Sequence, residues 1–499
     1  MTNYIIKNKN ISVREIFGIF NFSKKISLSK SIISKINKSR IFLEKKINES
    51  NKPFYGINTG FGDLHNIKIN DKNLSLLQNN LIKSHACGTG EKVDSNIVKL
   101  MMLLKIISLS KGYSGIRFET VERLLFFYNN SIYPVVYKYG SLGASGDLSP
   151  LSHMSLALIG EGEVEYNGKI IKTSDVLKKY FLKKINLQSK EGLALINGTQ
   201  FMLSSLLNSL FDAYRLCYLS DKIACISLDA YNCDLSPFNN LISKIRPHKG
   251  QNDVSKRILN FLKDSHIQNS SKDDVQDPYS FRCIPQVHGA TLDSVNYCST
   301  VIETEINSVT DNPLIFPENN MIISGGNFHG QPLALVIDFL KISLSELGSI
   351  SERRTFNLMS GKRNLPPFLT KKPGLNSGLM IIQYTAASLV SANKQFSTPS
   401  SIDSITSSNG QEDHVSMGAN GANQLRDICN NLFDILSVEL ISSAQAKVFN
   451  DHKSSKTVNK FIHELRKISP FISKDRVMYK EIKKVNLFLR KYKIKNLFF

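Results

Sequence analysis

Apolar positions along this chain fall mostly at helical spacing. Ile26, Ile33, Ile36, Leu43 and Ile47 form a rough stripe, broken by polar and basic residues, that predicts helix within 12–50. Leu76–Ala86 reads as helix, and Ile97–Leu109 is apolar enough to predict a buried one. Phe201–Leu219 predicts a long helix. Two regular stripes follow, Leu333, Val336, Ile337, Leu340, Leu344 and Leu347, then Leu425, Ile428, Leu432, Ile435, Leu436 and Leu440. Long stripes of this kind predict helices packed side by side in a bundle. Gly160–Ile171 departs from the pattern, alternating around Asn167-Gly168, which predicts a β-hairpin. The expected fold is mainly α: a long-helix bundle over 211–499 and a smaller, loop-rich N-terminal lobe over 1–210 that carries the hairpin. Between residues 200 and 220 Gly-rich loops give way to long helices, with no repeat or low-complexity linker to mark the join.

Composition narrows the class. A chain of 499 residues, 41% hydrophobic, can bury a large core and is not disordered. Its seven cysteines are odd in number and none is spaced Cys-x-x-Cys, which argues against a disulfide framework or a paired-cysteine zinc site and fits a reducing compartment. Met1–Asn10 lacks the apolar core of a signal peptide, and no run of 18 apolar residues predicts a membrane span. The expectation is a soluble, cytoplasmic protein. The net charge of +21 is spread along the chain among Ile and Asn, which favours dispersed bias over nucleic-acid binding. Lys447–Lys495 is the densest basic part, and its spacing suits an amphipathic helix with a solvated basic face.

The chemistry-bearing residues sit in the loops. Gly140–His153 holds Ala144-Ser145-Gly146 between Gly143 and Asp147, a run too small for a core element and suited to a tight turn. Asp147 and Ser149-Pro150 then look like a helix entrance. Tyr55–Gly62 has three glycines, but no dinucleotide fingerprint or P-loop. It reads as a surface loop or an active-site lid with Tyr55 at its edge. Ser84-His85 closes a helix. Asn197-Gly-Thr-Gln places an amide before the long helix. Gln276–Arg282 packs an amide, the Tyr279 phenol and a guanidinium around an Asp-Pro step. Gly325–Gly330 is a turn containing Phe328, and Asn409–Met417 holds Glu412-Asp413-His414. Those three are adjacent in sequence, cannot all face one point on a helix, and so predict no metal.

These loops, in this order, resemble the motifs of the aromatic amino acid ammonia-lyases and aminomutases. The likeness runs from about residue 50 to 450. Ala144-Ser145-Gly146 resembles the segment whose backbone in that family cyclises, loses water and becomes a 4-methylidene-imidazol-5-one. The resemblance implies that the Gly146 nitrogen attacks the Ala144 carbonyl, that Ser145 loses its hydroxyl, and that no external cofactor is needed. It also implies a homotetramer with a helical core, each active site built from loops of three subunits.

Two places point to the histidine-specific branch. Ser84-His85 resembles its substrate pair, and Glu412 stands where phenylalanine and tyrosine lyases usually have glutamine. A carboxylate accepts strongly from an imidazole N–H, whereas a phenyl ring would leave it buried and unpaired. The implied reaction is elimination of ammonia from L-histidine to give trans-urocanate. By resemblance Arg282 binds the carboxylate in a bidentate pair, Asn197 bonds near the carboxylate and the prosthetic ring, and His85 and Glu412 hold the imidazole. Gln276, Tyr279 and Phe328 shape the pocket. Tyr55 is the candidate base and Glu412 the alternative; a free phenol has a pKa of about 10, so Tyr55 needs that value lowered or unusually good placement. Two positions depart from the family: Gly410 where asparagine is common, and Gln331 where an acid is common. The rival readings are a phenylalanine or tyrosine lyase or aminomutase of the same family, and a non-catalytic basic binding protein on the same scaffold.

Overall fold

The computed structural model describes residues 3–49, 52–268, 274–450, 452–495 and 497–498. Helix dominates, with sheets of only two or three strands. The helices that matter below are α1 (Leu74–His85), α2 (Ser95–Ser110), α3 (Leu148–Leu156), α4 (Glu191–Ile196), α5 (Gln200–Ala230), α6 (Ile284–Ile306), α7 (Gln331–Leu358), α8 (Met380–Phe396) and α9 (Gly418–Ala446). The chain forms two compact units that alternate along the sequence. The first comprises 1–208, 299–338 and 399–423, and the second 209–298, 339–398 and 424–499. Four of the five crossings fall inside the long helices α5, α6, α7 and α9, and the fifth, between 398 and 399, lies just after α8.

In the first unit α2 is the core element. Every residue from Ile97 to Ser110 is buried, lysines included, so the helix is apolar all round rather than striped. It packs against the helices Phe118–Asn129 and Lys30–Glu49, while α1, α3 and α4 pack against one another. The expected hairpin is present as β2 (Glu163–Tyr166) and β3 (Lys169–Lys172), after β1 (Tyr133–Pro134), which pairs with β2. Asn167 and Gly168 take φ of +51° and +73°, the left-handed pair that a two-residue hairpin turn requires. The predicted helix within 12–50 is interrupted. Val13–Asn21 and Lys30–Glu49 are helical, but Lys25–Leu28 is a strand parallel to Asn3–Ile6. Asn129 reaches in to bond both the N–H and the C=O of Ile26. That long-range pairing, which no local pattern reveals, overrides the helical spacing.

In the second unit the predicted stripes are buried as a bundle: Leu340, Leu344 and Leu347 on α7, and Ile428, Leu432, Ile435, Leu436 and Leu440 on α9, are all fully covered. The basic C-terminal region forms two amphipathic helices rather than one. Lys456–Arg466 buries Val458, Phe461 and Leu465, and Met478–Lys491 buries Val485 and Leu489. Among the described residues no helix is long and apolar enough to cross a membrane.

Candidate active site

The Ala144–Asp147 turn is held open by glycine on both sides. Gly143 and Gly146 have φ of +66° and +77°. A Cβ at 146 would lie 2.2 Å from the Gly198 carbonyl oxygen, and one at 143 would lie 2.2 Å from Ser416 Oγ. Asp147 fixes the exit. It receives Ser141 Oγ–H at 2.8 Å and the Phe201 and Met202 N–H groups at 3.0 and 2.9 Å, so it caps the first turn of α5. Its own N–H donates to Gly198 O at 2.7 Å. Burial pushes the Asp147 carboxyl up to about 7 against these bonds and the nearby Lys105. Lys105, projecting from α2, donates to Asn197 O at 2.7 Å and is brought down to about 7 by its own burial.

These contacts present Ser145 to a cleft with two lobes, of about 650 and 370 Å³. Tyr55, Ser145, Asn197 and Glu412 line both lobes. His85 lines the larger, and Ala144 and Phe328 line the smaller. Ser145 Oγ donates to Glu412 Oε1 at 2.7 Å, and Ser407 Oγ donates to Glu412 Oε2 at 2.9 Å. Asn197 Nδ2 donates to the Ser145 carbonyl at 3.2 Å, leaving Asn197 Oδ1 buried without a partner. Tyr55 Oη accepts the Gly62 N–H at 3.2 Å. Burial raises the Tyr55 phenol above 10; the Gly62 N–H pulls it back and the Glu412 charge adds to the rise. Sequence reasoning required a lowered value or unusual placement, and the charge and burial around this phenol act in the opposite direction to lowering. His85 shares Nδ1 with Ser84 Oγ at 3.0 Å, and desolvation lowers its pKa, which favours the neutral ring.

Six of the expected residues thus meet with Ala144 in one cleft of the first unit, and Gly146 sits in the turn that carries Ser145. The other three belong to the second unit. Gln276 and Arg282 line a separate cavity of about 330 Å³ whose lining residues all belong to that unit. Tyr279 is largely exposed, and the Arg282 guanidinium lies over its ring at 4.4 Å. Among the described residues Arg282 Nε is buried without a partner. Among the described residues lining the two lobes of the first unit's cleft, none is lysine or arginine.

With this geometry in view, comparison with known proteins is decisive. The family model described as aromatic amino acid lyase matches residues 11–467. The chain belongs to that family. Among its relatives are histidine ammonia-lyase of Caldanaerobacter subterraneus, 43% identical over 97% of this chain and 95% of that protein, and that of Bacillus subtilis, 44% identical over 95% and 93%. The crystal structure of histidine ammonia-lyase from Trypanosoma cruzi superposes with a TM-score of 0.90 at 36% identity, covering 98% of this chain and 93% of that one. Tyrosine aminomutase from Streptomyces globisporus superposes at 0.93 with 31% identity, over 98% and 97%.

Sequence reading of this lyase missed three supporting residues. Lys105 had a signal, a lysine inside the apolar run of α2. Asp147 was read only as part of a helix entrance, although it caps a different and much longer helix. Ser407, which anchors Glu412, lies in a polar loop where nothing singles it out.

Proposed function

We propose that this lyase eliminates ammonia from L-histidine to give trans-urocanate. The observation that carries the reading is the placement of Glu412. Its carboxylate, held by Ser407, meets Ser145 at 2.7 Å in a cleft that His85 also lines. A site organised around a carboxylate and a neutral imidazole suits a substrate ring with N–H donors. The relatives named above are histidine ammonia-lyases over nearly their whole length.

The turn fits a 4-methylidene-imidazol-5-one made from Ala144, Ser145 and Gly146. Glycine is sterically required at 146, and the unpartnered Asn197 Oδ1 points to a missing polar contact beside it. Asn197, with its own carbonyl fixed by Lys105, would hold that ring. The ring would supply an electrophile for the substrate amine. The chain's own residues do the rest. His85 and Glu412 orient the imidazole, Tyr55 or Glu412 takes the β-proton, and Phe328 covers the smaller lobe. Arg282 binds the carboxylate as a bidentate partner, with Gln276 and Tyr279 beside it.

We place Arg282 in the site through assembly, as a homotetramer with shared active sites. The cleft of the first unit has no lysine or arginine of its own among its described lining residues. The second unit leaves Tyr297, Phe339, Ile342, Phe356, Ile381 and Tyr384 exposed, large apolar groups of the kind that subunit contacts cover. Seven free thiols support a reducing, cytoplasmic setting.

The deciding assay offers purified protein histidine, phenylalanine and tyrosine and follows product absorbance. Urocanate is expected. Cinnamate or coumarate without urocanate overturns the substrate choice. Intact mass tests the ring: the mature chain should be lighter by two waters, and Ser145→Ala should abolish that loss.

A further inference from the structure

The short segment that carries Gln276 and then, in a single helical turn, Tyr279 and Arg282 is tied down by one side chain far along the sequence. Arg363 Nε pairs with Asp274 Oδ2 at 2.5 Å, and its Nη2 donates to Asp277 Oδ1 at 3.0 Å. Its Nη1 donates to the Asn232 carbonyl at 3.3 Å. The guanidinium lies over the Tyr231 ring at 5.2 Å, and that ring stacks on Phe281, 4.7 Å away and within 6° of parallel. Phe281 is fully buried and immediately precedes Arg282. Asp277 is itself buried and accepts the Asp234 N–H at 2.7 Å, so the far side of the loop is fixed as well.

A planar fork with five donors can hold two carboxylates and a carbonyl at once; an ammonium cannot reproduce that geometry. Arg363 takes φ of +57°, a left-handed conformation uncommon for a side chain of this size, which aims the fork from a tight turn. Surface ion pairs usually contribute little. Asp274 is such a surface partner, but the Asp277 pair differs, because only 15% of the Arg363 side chain and 3% of the Asp277 side chain are exposed, and Asp277 lies on the segment leading into Arg282.

We propose that Arg363 is a positioning residue for substrate binding: it clamps the 274–282 loop so that Arg282 is presented at a fixed angle to the substrate carboxylate. The proposal rests on the reading that Arg282 takes that carboxylate. Arg363 touches neither substrate nor reacting atoms, and it acts only through the loop.

A double-mutant cycle tests it on the assembled enzyme. Arg363→Ala should raise KM for histidine about tenfold with kcat within about twofold, and Arg363→Lys should recover only part of the loss. In an Arg282→Ala background the same change should add nothing, because the clamp then holds no anchor. A purely structural role predicts the same penalty in both backgrounds, and that result, or an unchanged KM in Arg363→Ala, overturns the proposal. If Arg282→Ala alone leaves KM unmoved, the carboxylate reading fails instead. Should Arg363→Ala not fold, Asp277→Asn enters the same cycle. It keeps an acceptor oxygen and removes the charge that the fork grips.

Discussion

At the scale of single residues, the site depends on what each polar group is left to do after folding. Glu412 spends one oxygen on Ser407 and turns the other toward Ser145. Glu412→Gln keeps the shape but replaces a charged acceptor with a neutral amide. We expect histidine turnover to fall by about 10²-fold or more, while unfolding free energy changes by less than ~1 kcal/mol. Steady-state kinetics beside denaturant titration check both halves, and an unchanged rate removes Glu412 from the site. Tyr55 gives a pH prediction. Its folded pKa is raised above the ordinary 10, chiefly by burial. Below pH 10 the phenol is protonated in folded and unfolded chains alike, so its contribution to stability is whole there. It is lost as pH climbs through the raised folded value. Tyr55→Phe should therefore flatten the decline in stability above pH 10, read from denaturant midpoints on either side of that pH. Equal declines in both proteins would show that Tyr55 is not the buried group responsible.

At the scale of elements, the second unit is stitched by a charge cluster with no solvent around it. Arg354 on α7 and Glu439 on α9 are both fully buried, with Nε to Oε1 at 2.5 Å and Nη2 to Oε2 at 2.9 Å. Ser227 and Ser351 donate to the same carboxylate at 2.7 and 2.5 Å. Removing one partner leaves the other charge stranded. Glu439→Ala should cost about 3–5 kcal/mol of unfolding free energy, and the pair Arg354→Met with Glu439→Leu should recover most of it. This cluster also shows where sequence reading stops. The stripes on α7 and α9 were legible because burial on one face repeats every three to four residues. The hairpin was legible because Asn167-Gly168 can take positive φ cheaply. The Arg354–Glu439 pair was not, because a sequence separation of 85 residues leaves no local trace. The strand at Lys25–Leu28 was lost for the same reason, since its partner is set by pairing with Asn3–Ile6 rather than by its own residues. Site residues were legible wherever a loop motif resembled a family, as at Ser145, Asn197 and Glu412. Their supports, Ser407 and Arg363, answer to geometry alone.

At the scale of the whole molecule, the question is how a cleft lined by Tyr55, Ser145, Asn197 and Glu412 acquires a cation. Arg282 and Gln276 line their own cavity in the second unit, and Arg282 Nε has no partner there among the described residues. Shared sites in an assembly make a prediction that a self-contained site does not. Take two impaired variants, Glu412→Gln and Arg282→Ala, assayed at a histidine concentration where each turns over slowly. If one chain supplied both groups to its own site, every site in a mixture would carry one lesion, and mixing would restore nothing. If Glu412 and Arg282 of one site come from different copies, mixed assemblies hold some sites with both groups intact and others with neither. Co-expression of the two variants should then return histidine turnover well above that of either alone, approaching about a quarter of the normal rate when chains combine at random in equal amounts, in keeping with closed symmetric assembly. Separately purified proteins that are mixed without exchanging subunits should stay at the level of the variants themselves, which separates complementation from residual activity. Co-expressed chains that form mixed assemblies yet remain at that level would place both groups on one chain.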